Sequence, residues 1–367
     1  MKWTKIVSGI LLVSSLLGCY VASAENEPSK EEAESFLTRL FALRAQFLIN
    51  PQPETIKPHY LSDVRSSRHA LQQEVRRAEY LTTWAKKRQI TLLDAKDHIR
   101  VISFKLKGDQ AKVSVIQSLE LMYAYPNNQL HMNSFGLGTR HAMTLKRTDD
   151  GWHVLREWYL DPFDVEAKLI PDGTILQKRE VTNEERPETS ASNASRRYNR
   201  MQAVAYAKKY AGAAWGAGNN NRYNPRYRDY TYMGGDCTNF ASQVIGDSEG
   251  GGLPMRGGWR YTTHGGTELW VRTDSFKSFL FNSGYARLAA KGYFEQVIKS
   301  DAIAKMQEGD LIAYEISRGN VDHFAVIVGF DDNGYPLVNC HTADRFAMPF
   351  DLGWDKHTKY LLIHIND

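Results

Sequence analysis

Only three cysteines occur in 367 residues, and 46 Lys and Arg are nearly balanced by 42 Asp and Glu. So few cysteines exclude a disulfide-rich scaffold. A formal charge of +4 lacks the basic excess that nucleic-acid binding requires, although it tolerates an anionic cell-wall polymer as neighbour. Beyond the run from Ile6 to Leu17, no stretch is long and apolar enough to span a bilayer, and there are no internal repeats. Metal signals are equally thin. Asp331-Asp332-Asn333-Gly334 lacks the Glu that closes a calcium loop, and Asn-Gly between two strands reads as a hairpin. His323, His341 and Asp322 or Asp344 lack the close helical His pair that zinc hydrolases often show. No metal and no other cofactor is expected.

The apolar run is informative in itself. Lys2 and Lys5 precede it and Ala22-Ser23-Ala24 follows, the pattern of a secretory signal peptide over residues 1–24, cut after Ala24. The expected location is secreted or cell-envelope associated, with no membrane span after processing. Leu16-Leu17-Gly18-Cys19 offers an alternative in which Cys19 becomes a lipid anchor. After export Cys237 and Cys340 remain, either as two thiols or as one bridge.

The rest is too long for one ordinary core and fits two domains, giving an α+β protein. Residues 27–170 read as an accessory domain. Ser29 caps a helix running to about 60 with Phe36, Leu37, Leu40, Phe41, Leu43 and Phe47 at helical spacing, and a second helix covers about 66–88. Strand-like segments follow over 101–106, 110–125, 137–147 and 152–160. Two helices and then a long antiparallel sheet resemble the nuclear-transport-factor-two-like pattern, whose concave face can hold a ligand. Trp84, Tyr123, Trp152, Trp158 and Tyr159 are expected to be core. Residues 171–195 are polar and form a linker. The second domain, 196–367, opens on an amphipathic helix at 198–210. A further helix carries Trp270, Phe276, Phe279 and Leu280, and strands cover 310–315, 323–330, 337–342 and 360–365.

The chemistry concentrates in this second domain. Gly234-Gly235-Asp236-Cys237-Thr238-Asn239-Phe240-Ala241 places two glycines before a helix whose buried face is Phe240, Ala241, Val244 and Ile245. Cys237 then lies in the first helical turn, where backbone N–H groups and the helix dipole favour a thiolate. His323 opens a strand downstream and is its candidate base. Asp236 is expected to bind the turn's own amides or a basic neighbour, and with Tyr227 and Trp259 it is also a candidate substrate-binding position. His264 carries no supported role.

These residues, in the order Tyr198-Asn199-Arg200, Asn224-Pro225-Arg226-Tyr227, Asp236-Cys237-Thr238-Asn239-Phe240-Ala241-Ser242-Gln243, Glu308-Gly309-Asp310-Leu311, His323-Phe324-Ala325-Val326 and His341-Thr342, resemble the bacterial putative amidase domain family. The resemblance covers only the C-terminal half. More distantly that half is similar to papain-like wall peptidases of the NlpC and CHAP kinds. What this implies is a circularly permuted papain-like α+β fold, hydrolysis of an amide by cysteine chemistry and no metal. A peptide or peptidoglycan-type amide is the substrate class it suggests. A third group would fix the tautomer of His323. Strand alternation puts Asn339 and His341 on one face and Val338 and Cys340 on the other, which argues against a Cys237–Cys340 bridge. The resemblance favours His341, and the amide orienter of papain keeps Asn339 in play. The competing expectation is a non-catalytic envelope-binding module on a degenerate hydrolase fold.

Overall fold

A computed structural model describes residues 29–128, 130–173, 198–316 and 319–367. The expected signal peptide, Cys19 and most of the linker lie outside the described residues. The fold is a mixture of helices and one large antiparallel sheet.

In the N-terminal half, helix α1 (Lys30–Ile49) starts where the Ser29 hydroxyl accepts the Glu32 N–H at 3.1 Å. It ends at Asn50, short of the expected 60, because Pro51 disfavours helical geometry at the preceding residue. Helix α2 (Arg65–Lys87) packs beside it. Four strands follow: β1 (Thr91–Lys107), β2 (Gln110–Ala124), β3 (Asn133–Thr148) and β4 (Gly151–Tyr159). Strand β1 starts ten residues before the expected 101. The helices bury Phe36, Leu40, Phe41, Leu81 and Trp84 against this sheet together with Tyr123, Trp152 and Tyr159, as expected. Trp158 is the exception: it is 66% exposed, because alternation along β4 turns it away from its buried neighbours.

The C-terminal half contributes helices α3 (Arg200–Lys209), α4 (Cys237–Gly246) and α5 (Thr273–Asn282). Trp270 sits on a separate short helix, Glu268–Val271. The strands are β5 (Ala286–Tyr293), β6 (Leu311–Glu315), β7 (His323–Phe330), β8 (Pro336–Cys340), β9 (Asp344–Pro349) and β10 (Lys359–Ile365). Strands β5 and β9 had no counterpart in the sequence reading. Residues Leu311, Ala313, Phe324 and Val326 face a core shared with α3, α4 and α5, while Ile312, Tyr314, Ala325, Val338 and Cys340 face a second core on the opposite side.

The halves share one sheet of ten strands, ordered β1-β2-β3-β9-β8-β7-β6-β10-β5, with β4 also on β3. Along β3, residues 141–148 pair with β4, and Gly136, Leu137 and Gly138 pair with Phe346, Arg345 and Asp344 of β9. The glycines are needed there. A Cβ on Gly136 would lie 2.0 Å from the Trp215 carbonyl oxygen, and one on Gly138 would lie 2.5 Å from the Ala213 carbonyl carbon. A segment of the C-terminal half thus crosses directly over β3, held by the Ser118 hydroxyl on the Ala213 carbonyl at 2.6 Å. Met348 and Leu352 complete the N-terminal core.

Candidate active site

Cys237 is the first residue of α4, as the glycine turn and apolar spacing imply. Gly234 and Gly235 enter it at φ +108° and +117°, a region that residues with a Cβ avoid. The thiol is buried and free. Burial pushes its pKa up, outweighing hydrogen bonding from the Phe324 backbone and the Thr238 hydroxyl. Its sulfur therefore rests against the residue that follows His323.

His323 opens β7 and is 7% exposed. Its ring packs against Tyr314 and Trp354, with centroids at 5.7 and 5.4 Å. Its Nε2 is buried without a hydrogen-bond partner. Burial pulls its pKa down to about 3, and the Arg345 guanidinium adds to the effect. The resting arrangement is thus a neutral thiol and a neutral imidazole with no hydrogen bond between them.

His341 and Asn339 do share a face, but it is not the face of His323. In the β7–β8 register Asn339 lies opposite Val326, so Asn339 and His341 belong with Phe324 and Val326, whereas His323 belongs with Ala325. Cys340, expected to point away from His323, lies in the core layer of Tyr314 and Ala325, on the side of His323. Asn339 spends its amide on the Ala207 carbonyl at 3.0 Å and the Ala347 N–H at 2.7 Å. His341 Nδ1 contacts Asp236 Oδ2 at 2.6 Å, and Nε2 contacts the Tyr210 carbonyl at 2.7 Å. Neither residue touches His323, so the expected orienting contact is absent.

The His341 contacts fix its charge. A backbone carbonyl can only accept, so Nε2 carries a proton, and the Asp236 carboxylate accepts a hydrogen bond from a second proton on Nδ1; the ring is an imidazolium. Burial works against this charge, but the bond and charge of Asp236 win and hold the pKa above its ordinary value. Tyr223 and Phe240 stack on its two faces with centroids at 3.9 and 4.0 Å.

Asp236 is fully committed. Oδ2 holds His341, and Oδ1 accepts the Tyr230 N–H at 2.8 Å and the Asn239 amide at 2.9 Å. Its own N–H donates to the Thr342 hydroxyl at 2.7 Å. This is the expected role on turn amides and a basic neighbour; no carboxylate atom is left for substrate. The other two candidate binding residues also turn inward. Tyr227 donates to Asp247, and Trp259, wholly buried, donates to the Ser242 hydroxyl at 3.0 Å and packs on Trp270.

Four residues around the site had no sequence-based assignment: Thr342, Tyr223, Trp354 and Arg345. Arg345 lies four positions after His341, and only strand parity across β9 could have aimed it at His323's side. Among the described residues no group of His, Cys, Asp and Glu could hold a metal ion, and no helix is long and apolar enough to cross a membrane. An open cleft of about 890 Å³ lies in the N-terminal half, lined by Arg39, His59, Arg147, Trp152 and His153 among others, and does not include Cys237.

Residues 197–363 match the putative amidase domain family, as their motifs indicated. The C-terminal half is thereby similar to a putative amidase domain. No curated protein matches the sequence significantly. Among solved structures, a putative scytalone dehydratase from Novosphingobium aromaticivorans is 14% identical with a TM-score of 0.25, over 35% of this chain and 82% of that one. The beta subunit of benzoate 1,2-dioxygenase from Burkholderia mallei is 12% identical with a TM-score of 0.22, over 37% of this chain and 97% of that one. The intermembrane space region of chloroplast protein ARC6 is 12% identical with a TM-score of 0.27, over 36% and 97% respectively.

Proposed function

We propose that the C-terminal half is a papain-like cysteine amidase or peptidase in which Cys237 is the nucleophile and His323 its base. The observation that carries this reading is the seat of the Cys237 sulfur, at the start of a helix and against the backbone of the residue next to His323. The buried, unpartnered Nε2 of His323 supports it, since an unsatisfied polar atom in a core needs an explanation. In the reaction His323 takes the thiol proton as sulfur attacks the amide carbonyl. The tetrahedral intermediate collapses to a thioester as the same proton passes to the leaving amine. Water, deprotonated by His323, then releases the acid and restores the thiol. Backbone N–H groups at the start of α4 are suited to receive the oxyanion.

With neutral partners at rest, His323 acts as a base during attack and not as half of a standing ion pair. Export, an envelope location and a peptide or peptidoglycan-type amide complete the proposal, with the helix-and-sheet N-terminal half as a nuclear-transport-factor-two-like accessory unit. The reading is tested by alkylating the chain with iodoacetamide at pH 7 and following the Cys237 peptide by mass. His323→Ala is expected to slow the reaction by about tenfold or more. A rate indifferent to His323 favours the non-catalytic binding module, for which the inward bonding of His341 and Asn339 is the supporting observation.

A further inference from the structure

Among the described residues, one of four buried arginines differs from the others. Arg44 is bonded to Glu157, Arg77 pairs with Asp161 at 3.2 Å and Arg88 is bonded to Asp351. Arg345 is 4% exposed, yet no carboxylate of the described residues pairs with it. Its one hydrogen bond runs from Nη1 to the Leu352 carbonyl at 2.9 Å, and its Nε has no partner. Removing a cation from water without a counter-charge is costly, so a buried guanidinium left in this state points to a charge that arrives from outside.

Its neighbours show where that charge would sit. The guanidinium lies 5.0 Å from the Trp354 ring, and the same indole packs on His323 at 5.4 Å. The indole nitrogen is itself buried and unpartnered, like His323 Nε2. Register pairs Tyr314 with His323 and Cys340 with Arg345, and the two pairs lie on one face of the sheet, offset by two residues along β7. Cys340 lies directly opposite Arg345 across the β8–β9 pair: burial pushes its thiol up to about 12, the Arg345 guanidinium pulls against this, and Cys237 adds to the rise. Trp354 is only partly buried, which leaves His323 and Arg345 one ring from solvent.

We propose that Arg345 is the anion-recognition residue of the Cys237 site, and that the substrate is an amide carrying a carboxylate close to the bond cleaved, as at the free C-terminus of a peptide. This rests on Cys237 being the nucleophile. A guanidinium suits the task because its planar fork matches a carboxylate with two parallel hydrogen bonds and stays charged at every working pH.

The test uses two reagents of nearly equal size on the full chain. Iodoacetate and iodoacetamide both form a carbon–sulfur bond with loss of iodide and the thiol proton, but only iodoacetate brings a carboxylate. The rate ratio of iodoacetate to iodoacetamide at Cys237, read by peptide mass, is expected to fall on the order of tenfold in Arg345→Gln and to be largely kept in Arg345→Lys. A ratio unchanged by Arg345→Gln overturns the inference and leaves the cysteine reading intact. A thiol inert to both reagents overturns the cysteine reading, and this inference with it. Should Arg345→Gln fail to fold, the wild-type chain decides: acetate is expected to protect Cys237 from iodoacetamide better than acetamide does, and equal protection overturns the assignment.

Discussion

His341 Nδ1 and Asp236 Oδ2 meet at 2.6 Å, tying the residue after β8 to the residue before Cys237. Both side chains are 1% exposed, so the pair sets the position of α4 from inside the protein. Thr342 adds a second tie by accepting the Asp236 N–H, at a backbone φ of +66° that a residue with a branched Cβ adopts only under constraint.

Asp236→Asn leaves the His341 imidazolium without its counter-charge. Breaking a buried pair in this way costs about 3–5 kcal/mol, and denaturant unfolding at pH 6 is expected to show a loss of that order. The sign of the pH dependence follows from the raised His341 pKa. Stability from such a group is fully present below the ordinary histidine value and is lost as pH rises through the folded pKa. The deficit of Asp236→Asn should therefore shrink at alkaline pH. A deficit of constant size would show that His341 is not an imidazolium.

The core of this arrangement was legible in the sequence because it is local. Two glycines followed by Phe240, Ala241, Val244 and Ile245 at helical spacing can be read as turn and helix without knowing what packs on them. His323–Phe330 was equally plain as a β-branched and aromatic run. What the sequence hid is relative placement. Whether His341 faces His323 depends on the β7–β8 register, and moving that register by one residue exchanges the two faces. Strand β5 was hidden because its Ala-Arg-Leu-Ala-Ala-Lys is rich in helix formers and becomes a strand only through pairing with β10. Strand β9 was hidden because Ala347 within it takes φ +48°, which breaks the alternation.

His323 makes the opposite prediction from His341. Its folded pKa lies near 3, below the ordinary value of 6.5. The unfolded chain therefore takes up a proton first as pH falls, and the folded state loses stability from about pH 6.5 down towards 3, by up to about 1.4 kcal/mol per pH unit. Unfolding midpoints compared between pH 7 and 4 are expected to fall more steeply in wild type than in His323→Phe, which keeps an aromatic ring beside Trp354 and Tyr314 but cannot titrate. Parallel slopes would mean that His323 is protonated in the fold and is not held as a neutral base.

Asp351 carries the last prediction. Its carboxylate, wholly buried, accepts the Trp84 indole at 2.9 Å and the Arg88 guanidinium from the N-terminal half, and the Tyr335 hydroxyl at 2.5 Å from its own half. Tyr123 and Tyr125 repeat the pattern on Asp331 at 3.0 and 2.6 Å. With a shared sheet and a shared core, these bonds leave no surface along which the halves could part before each loses its own packing. Asp351→Ala strands the Arg88 cation and is expected to cost about 3–5 kcal/mol. The loss should appear as one cooperative unfolding step in which Trp84 fluorescence and far-UV circular dichroism change together. Two separated steps would show instead that the halves fold independently, and that the site around Cys237 draws no support from β3.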